Sequence, residues 1–236
     1  MPSQTSEADF ELYYWPLPFR SCFITYLFAY RDAPLMEVRE FDAIEALRHQ
    51  LVDEQPIPLM GPPMLRDRRT GLVLSQMPAI VLHVSRALDL LPESDDEFAM
   101  GMKILMDCND VLMEICRYNG SSMWAHEDWI EFRTQRFPRW LSLFEALHRR
   151  GHIGQSSVYF ADIAVYALFG NMIRCLPELE QDLLTHAPRI HAHCEWLARQ
   201  ASMARYVAFD QERYGQLYCD GQIEQSIRSM LAQDVM

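Results

Sequence analysis

Residues 61–90 read GPPMLRDRRTGLVLSQMPAIVLHVSRALDL, and this stretch decides the fold. Pro63, Met64 and Leu65 form an extended run, expected at the edge of a sheet. Arg66 to Gly71 is a polar turn with glycine at its end. Leu72, Val73 and Leu74 make a second strand. Ser75-Gln76-Met77-Pro78 then opens a helix, with Pro78 in the first turn, where a missing N–H is tolerated. Ile80, Val81, Val84, Ala87 and Leu88 follow at helical spacing.

Upstream, Phe10 to Trp15 reads as a strand, broken by Pro16 and Pro18. Ser21 to Tyr30 is a helix, Leu35 to Val38 a strand and Asp42 to Leu51 a short helix. Gln55 to Pro62 is a proline-rich loop. The order strand, helix, strand, helix, strand, strand, helix is thioredoxin-like. Leu91-Pro92-Glu93-Ser94-Asp95 marks a boundary, and strand signals stop after it. Helices are expected over Glu97–Tyr118, Glu127–Arg149 (kinked at Pro138), Tyr159–Cys175, Pro177–Thr185, Pro188–Gln200 and Ile223–Leu231. The expected class is thus an α/β thioredoxin-like domain over residues 1–90 and an all-α domain over residues 96–236.

Half of the 236 residues are apolar and 23% are charged, a globular balance. The net charge of -12 argues against nucleic acid and anionic membranes as main partners. Charges interrupt every apolar run well short of the ~20 residues a transmembrane helix needs. Residues 1–8 read as a loose tail, and residues 1–10 are unlike a secretory signal. The six cysteines show no CxxC spacing, which suits reduced thiols in a cytoplasmic protein. There is no HExxH, and His191 and His193 face different ways on a helix, so no metal site is expected. Walker, GxSxG and GxGxxG motifs are missing.

The stretch from Gly61 to Leu90 resembles the glutathione-binding half of a cytosolic glutathione transferase. In that family a cis proline precedes the residue whose backbone pairs with the cysteine of glutathione. The resemblance places Pro63 and Met64 there. Gln76 matches the residue that opens the next helix at the γ-glutamyl end, and Met77 stands where the family has Ser. Glutathione is a short anionic peptide that can add to a sheet as one more strand, with its carboxylate at a helix start. Arg20 at the first helix, and His49 with Arg48, are candidates for the anion. Gly61 replaces a basic residue common in the sigma type.

FELYYWPLPFRSCFITYLFAY resembles the start of the tyrosine-type transferases, closest to the sigma class, whose relatives include prostaglandin D synthases. The resemblance places Tyr14 at the catalytic position. A free thiol titrates near ~8.5. A phenol O–H donating to sulfur favours the thiolate, which is the nucleophile. Tyr13 competes for this role from the opposite face of the strand. Cys22 lies inside the helical pattern and reads as a buried thiol. Trp15, Tyr118 and Trp124 either line an apolar substrate pocket or pack in a core.

In the second half, Ala161-Asp162 and Pro188 with Trp196 and Tyr206 also resemble the family, with Tyr159 where a hydroxyl cap is usual and Ser156 or Ser157 as substitutes. The resemblance covers about residues 10–208. It implies a homodimer that uses glutathione as co-substrate and a small apolar electrophile as the second substrate, as in a detoxifying transferase. Two other readings stay open: a glutathione-dependent isomerase or biosynthetic enzyme on the same fold, and a non-catalytic binding protein. Met77, Gly61 and Tyr159 each remove a polar group and lean toward the last.

Overall fold

Four short strands make one mixed sheet in the order β2-β1-β3-β4. They are β1 (Phe10–Tyr13), β2 (Met36–Val38), β3 (Met64–Asp67) and β4 (Val73–Ser75). β1 runs parallel to β2 and antiparallel to β3, and β3 runs antiparallel to β4. In this computed structural model residues 8–233 are described. Up to residue 7, the tail expected over residues 1–8 lies outside them.

The expected order of elements is found. Helix α1 (Cys22–Arg31) follows β1, α2 (Phe41–Arg48) follows β2 and α3 (Met77–Ala87) follows β4. Residues Cys22 to Ala29 are all buried, so α1 is a core helix; Phe28 meets Phe10 edge-on, ring centroids 5.4 Å apart. One reading is corrected. Pro63-Met64-Leu65 was expected at a sheet edge, but β3 lies between β1 and β4. Alternation alone does not tell an edge strand from an inner one. The inner position shows only in burial, with Met64 and Leu65 each 1% exposed.

The chain divides into two compact units, one running to Leu91 and taking in Gln200–Tyr214, the other comprising Pro92–Arg199 and the residues from Gly215. The helix Ala201–Tyr214 therefore packs with the first unit, where the sequence division at residues 90 and 96 left it in the second. The cause is distant pairing. The Tyr206 hydroxyl donates to Glu37 at 2.9 Å, Arg205 pairs with Asp32 at 2.7 Å, and Tyr206 meets the ring of Tyr26 edge-on.

In the second unit every described regular element is helical. Helix α4 (Asp95–Ile115) starts at Ser94, whose Oγ accepts from the N–H of Glu97. The long helix expected after it is His126–Glu131 and Phe137–Arg149, joined by a π turn at Phe132–Arg136 just before Pro138. The central helix runs from Phe160, is buried through Met172, and holds a second π turn at Tyr166–Gly170. Its cap needs neither the Tyr159 hydroxyl nor a serine. The Asp162 carboxylate accepts from the N–H of Tyr159 at 3.0 Å and of Gly154 at 2.7 Å. The last helix, Gly221–Gln233, is fixed by Glu224, whose Oε2 accepts from the N–H groups of Tyr218, Cys219 and Asp220.

None of the six cysteines forms a disulfide. Among the described residues no helix is long and apolar enough to cross a membrane, and no cluster of His, Cys, Asp and Glu could hold a metal.

Helix α4 passes the central helix at Gly101, where an added Cβ would lie 2.7 Å from the buried ring of Phe160. Gly101→Ala is expected to destabilise the second unit by about 1–3 kcal/mol, because the ring cannot move away without opening the core. Urea unfolding followed by tryptophan fluorescence checks this; an unchanged midpoint would count against the packing.

Candidate active site

The sheet register brings the predicted residues of the first unit together. Tyr13 is paired with Val38 on one side and with Met64 on the other, and Met64 is paired with Ser75. Arg39, Tyr14 and Gln76 follow, and Pro63 precedes, the four residues of this last paired row. The N–H of Tyr14 donates to the Val38 carbonyl at 3.2 Å, which carries the β1–β2 pairing past that row.

Tyr14 is 2% exposed, and its hydroxyl accepts from the backbone N–H of Arg20 at 3.2 Å. Burial pushes its phenol well above the ordinary range, against the opposing pull of Arg20 and Arg39. The group is thus neutral at any ordinary pH and keeps its proton to donate. Tyr13 is committed elsewhere: its hydroxyl donates to Glu11 Oε2 at 3.1 Å. Cys22 is buried and its thiol donates to the Phe19 carbonyl at 2.6 Å. The guanidinium of Arg20 sits 5.5 Å from the Phe19 ring, while its backbone serves Tyr14.

The Pro62–Pro63 peptide bond is cis. Neither proline has an N–H, so an extended peptide beside residues 61–63 meets carbonyls and the single donor of Gly61. Met64 itself has strands on both sides and offers no open edge. Gln76 takes φ 72°, ψ 119° at the start of α3, and no side chain caps that start. A non-glycine residue held there stores roughly 1–3 kcal/mol, a feature that clusters at ligand sites. Met77 is the first residue of α3 and is 2% exposed.

His49 lies past the end of α2, exposed, with Nε2 3.0 Å from Glu45. Arg48 is better placed. Its guanidinium lies 5.9 Å from the Trp15 ring, and its Cδ is 4.0 Å from where a Cβ on Gly61 would be. A basic side chain from α2 thus comes beside Gly61. Trp15 is half-buried and packs on Phe41. The other two pocket candidates belong to the second unit. Trp124 is a core residue: it is 6% exposed, packs against Trp129 and Phe132, and donates from Nε1 to the Ile115 carbonyl. Tyr118 is 66% exposed and lies in a left-handed run from Arg117 to Gly120. The residue the sequence did not mark is Arg39, which is 4% exposed and stacked 5.6 Å from the Tyr14 ring. A charge one residue past a three-residue strand carries no pattern that singles it out.

The family model for "Glutathione S-transferase, C-terminal domain" matches residues 100–230, more than half of the chain. The chain belongs to the glutathione S-transferase family. The match runs past residue 208, so the tail through the last helix lies within the family pattern, not beyond it. Solved structures agree in fold. A Pi-class glutathione S-transferase of Onchocerca volvulus is 18% identical, with a TM-score of 0.71 and coverage of 90% of this chain and 98% of that one. A rat hPGDS complexed with a quinoline is 19% identical, with a TM-score of 0.69 and coverage of 85% and 96%. Prostaglandin synthase D of Nilaparvata lugens is 14% identical, with a TM-score of 0.68 and coverage of 84% and 97%. No curated protein matches by sequence. Family and fold together support a glutathione transferase or a related function on this scaffold.

Two outcomes follow from this geometry. Tyr14 is expected to stay protonated to pH 10 and beyond: wild type minus Tyr14→Phe should show no phenolate absorbance near neutrality or in mild alkali. Because the folded pKa is raised, the contribution is full below the unfolded value of ~10 and is lost as pH rises past it. Gln76→Gly relieves the strained backbone and is expected to leave the melting temperature unchanged or raised. Gln76→Ala keeps the strain; a rise in stability there would show that the side chain, not the φ value, stores the energy.

Proposed function

We propose that this protein binds glutathione along Arg39, Tyr14, Pro63 and Gln76 and activates its thiol as a thiolate for attack on a small apolar electrophile. The observation that carries the reading is the register itself, which sets a buried, protonated phenol, the cis proline and the uncapped start of α3 each one residue from the same paired row. In this reading the ligand's cysteine lies beside the residues before β3. Its γ-glutamyl carboxylate sits at Gln76 and the free N–H groups of the helix start. Arg48, with His49 behind it, serves the glycine carboxylate. Tyr14 donates to sulfur, and the enzyme gains rate by holding the thiolate beside the electrophile, without a covalent intermediate. Trp15 is the apolar contact that the first unit offers the electrophile. The exposed side chains of Phe41, Leu51, Val52 and Met60 support assembly as a homodimer. Six cysteines without a disulfide suit a reducing cytoplasm.

Titration of reduced glutathione by calorimetry, beside Tyr14→Phe, tests the reading. Binding is expected in both proteins, with the bound thiol ionised at neutral pH only in the wild type. If neither binds, the paired prolines and Met77 have disabled the peptide site, and the protein is a binding module for another ligand.

Met77→Ser has opposed effects. It restores a hydroxyl contact to a charged group worth about 1.5–3 kcal/mol, so glutathione should bind about ten- to a hundredfold more tightly. It also empties a buried site and should cost about 2–5 kcal/mol of stability. Weaker binding by a folded variant would rule out the assigned pose.

A further inference from the structure

The loop from Trp15 to Ser21 brings the Arg20 N–H to the Tyr14 hydroxyl, and it is held in part by its own bonds, from the Leu17 N–H to the Trp15 carbonyl at 2.8 Å and from the Ser21 hydroxyl to the Pro18 carbonyl at 2.7 Å. Pro16 and Pro18 remove two N–H donors from it. Three of its oxygens converge in addition on one side chain from outside the loop. Arg39 Nη1 donates to the Trp15 carbonyl at 2.9 Å, the Leu17 carbonyl at 3.1 Å and Ser21 Oγ at 2.9 Å. Nε and Nη2 of the same guanidinium grip Glu37 Oε2 at 2.8 and 2.5 Å. Glu37 Oε1 is held by the Tyr206 hydroxyl at 2.9 Å. The guanidinium carbon lies over the Tyr14 ring, 5.6 Å from its centroid.

The connection to the phenol is short. Arg20 is the residue before Ser21, and it is the Arg20 N–H that meets the Tyr14 hydroxyl. A loop displaced by an ångström would move that donor out of reach, because a hydrogen bond at 3.2 Å has little slack. Arg39 and Tyr14 directly follow the paired residues Val38 and Tyr13, so clamp and phenol are fixed by the same register. The Arg39 side chain remains charged although buried: burial is the strongest influence and opposes the charge, and Glu37 together with Tyr206 and Tyr214 outweighs it.

We propose that Arg39 is a positioning residue: it clamps the Trp15–Ser21 loop so that the Arg20 N–H fixes the Tyr14 hydroxyl for its work on the thiol. The last part of this statement rests on the glutathione reading above. Lysine cannot replace arginine here. A single ammonium cannot hold Glu37 and three loop oxygens at once, although it preserves the charge. Glu37 of β2 and the tyrosine from the helix Ala201–Tyr214 thereby act on the phenol through Arg39, without touching it themselves.

The test compares wild type, Arg39→Lys, Tyr14→Phe and the double variant. The ligand-free readout is amide hydrogen exchange. Arg39→Lys is expected to speed exchange of the Arg20 amide on the order of tenfold, as Tyr14→Phe does, while amides inside α1 keep their protection. With glutathione and an aryl halide, Arg39→Lys should lower kcat by about tenfold or more and raise the pKa of the bound thiol, with KM for glutathione nearly unchanged. The double variant should be no worse than Tyr14→Phe, because both changes act through one hydroxyl. If Arg39→Lys does not fold, Tyr206→Phe, which loosens Glu37 from the other side, takes its place with the same signs and smaller size. Unchanged Arg20 exchange, or kcat losses that multiply in the double variant, would overturn the proposal. A wild type that neither binds nor ionises glutathione would refute the functional reading alone, and the Arg20 amide would still decide whether Arg39 is the clamp.

Discussion

The structure depends on the register of one strand. β1 is four residues long, yet Tyr13 sets Val38, Met64 and Ser75 in one row across the sheet. A slip of one residue would turn Tyr14 to the other face and bring Tyr13, already bonded to Glu11, into its place. Burial specifies the register. Phe10, Leu12 and Tyr14 are nearly inaccessible, and each would be turned out of the core by a slip. The next residues along these strands are Arg39, Tyr14, the cis proline Pro63 and the strained Gln76, so the requirement for a core on one face also fixes where these candidate residues lie.

What the site can do follows from the state of one proton. A phenol that ionised near neutrality could accept a hydrogen bond from a thiol but could not donate one to a thiolate. Burial keeps Tyr14 neutral, and the Arg20 N–H occupies one of its lone pairs, leaving its hydrogen for a partner. The loop that supplies this N–H is rich in proline and is held from outside by a guanidinium, which makes the geometry a property of tertiary packing.

Two of the three departures from the family pattern, Met77 and Gly61, fall in the first unit, and Tyr159 in the second. Met77 fills a buried position where a hydroxyl was expected, and Pro62 with Pro63 leaves a run without N–H donors. Beside them, the start of α3 carries no side-chain cap and Arg48 of α2 comes close to Gly61. The capping of the central helix departs as well. Gly154 contributes an N–H to Asp162 where the sequence suggested a serine.

The sequence by itself determined the order of the elements, the change from strands to helices near Leu91 and the buried central helix, because each is written in local spacing, in proline and glycine chemistry or in continuous apolarity, while the cis proline at Pro63 came from the family resemblance. The family was legible for the same reason: its residues lie in short contiguous stretches. Only the tertiary structure decided that β3 is an inner strand, that Ala201–Tyr214 packs with the first unit, that Trp124 is a core residue and that Arg39 donates to the Trp15 and Leu17 carbonyls and to Ser21 Oγ. Those facts rest on contacts between residues up to 173 positions apart. A buried arginine and a solvated one look alike in sequence; the difference lies in whether distant carbonyls and a carboxylate converge on the guanidinium, and the fold alone brings them there.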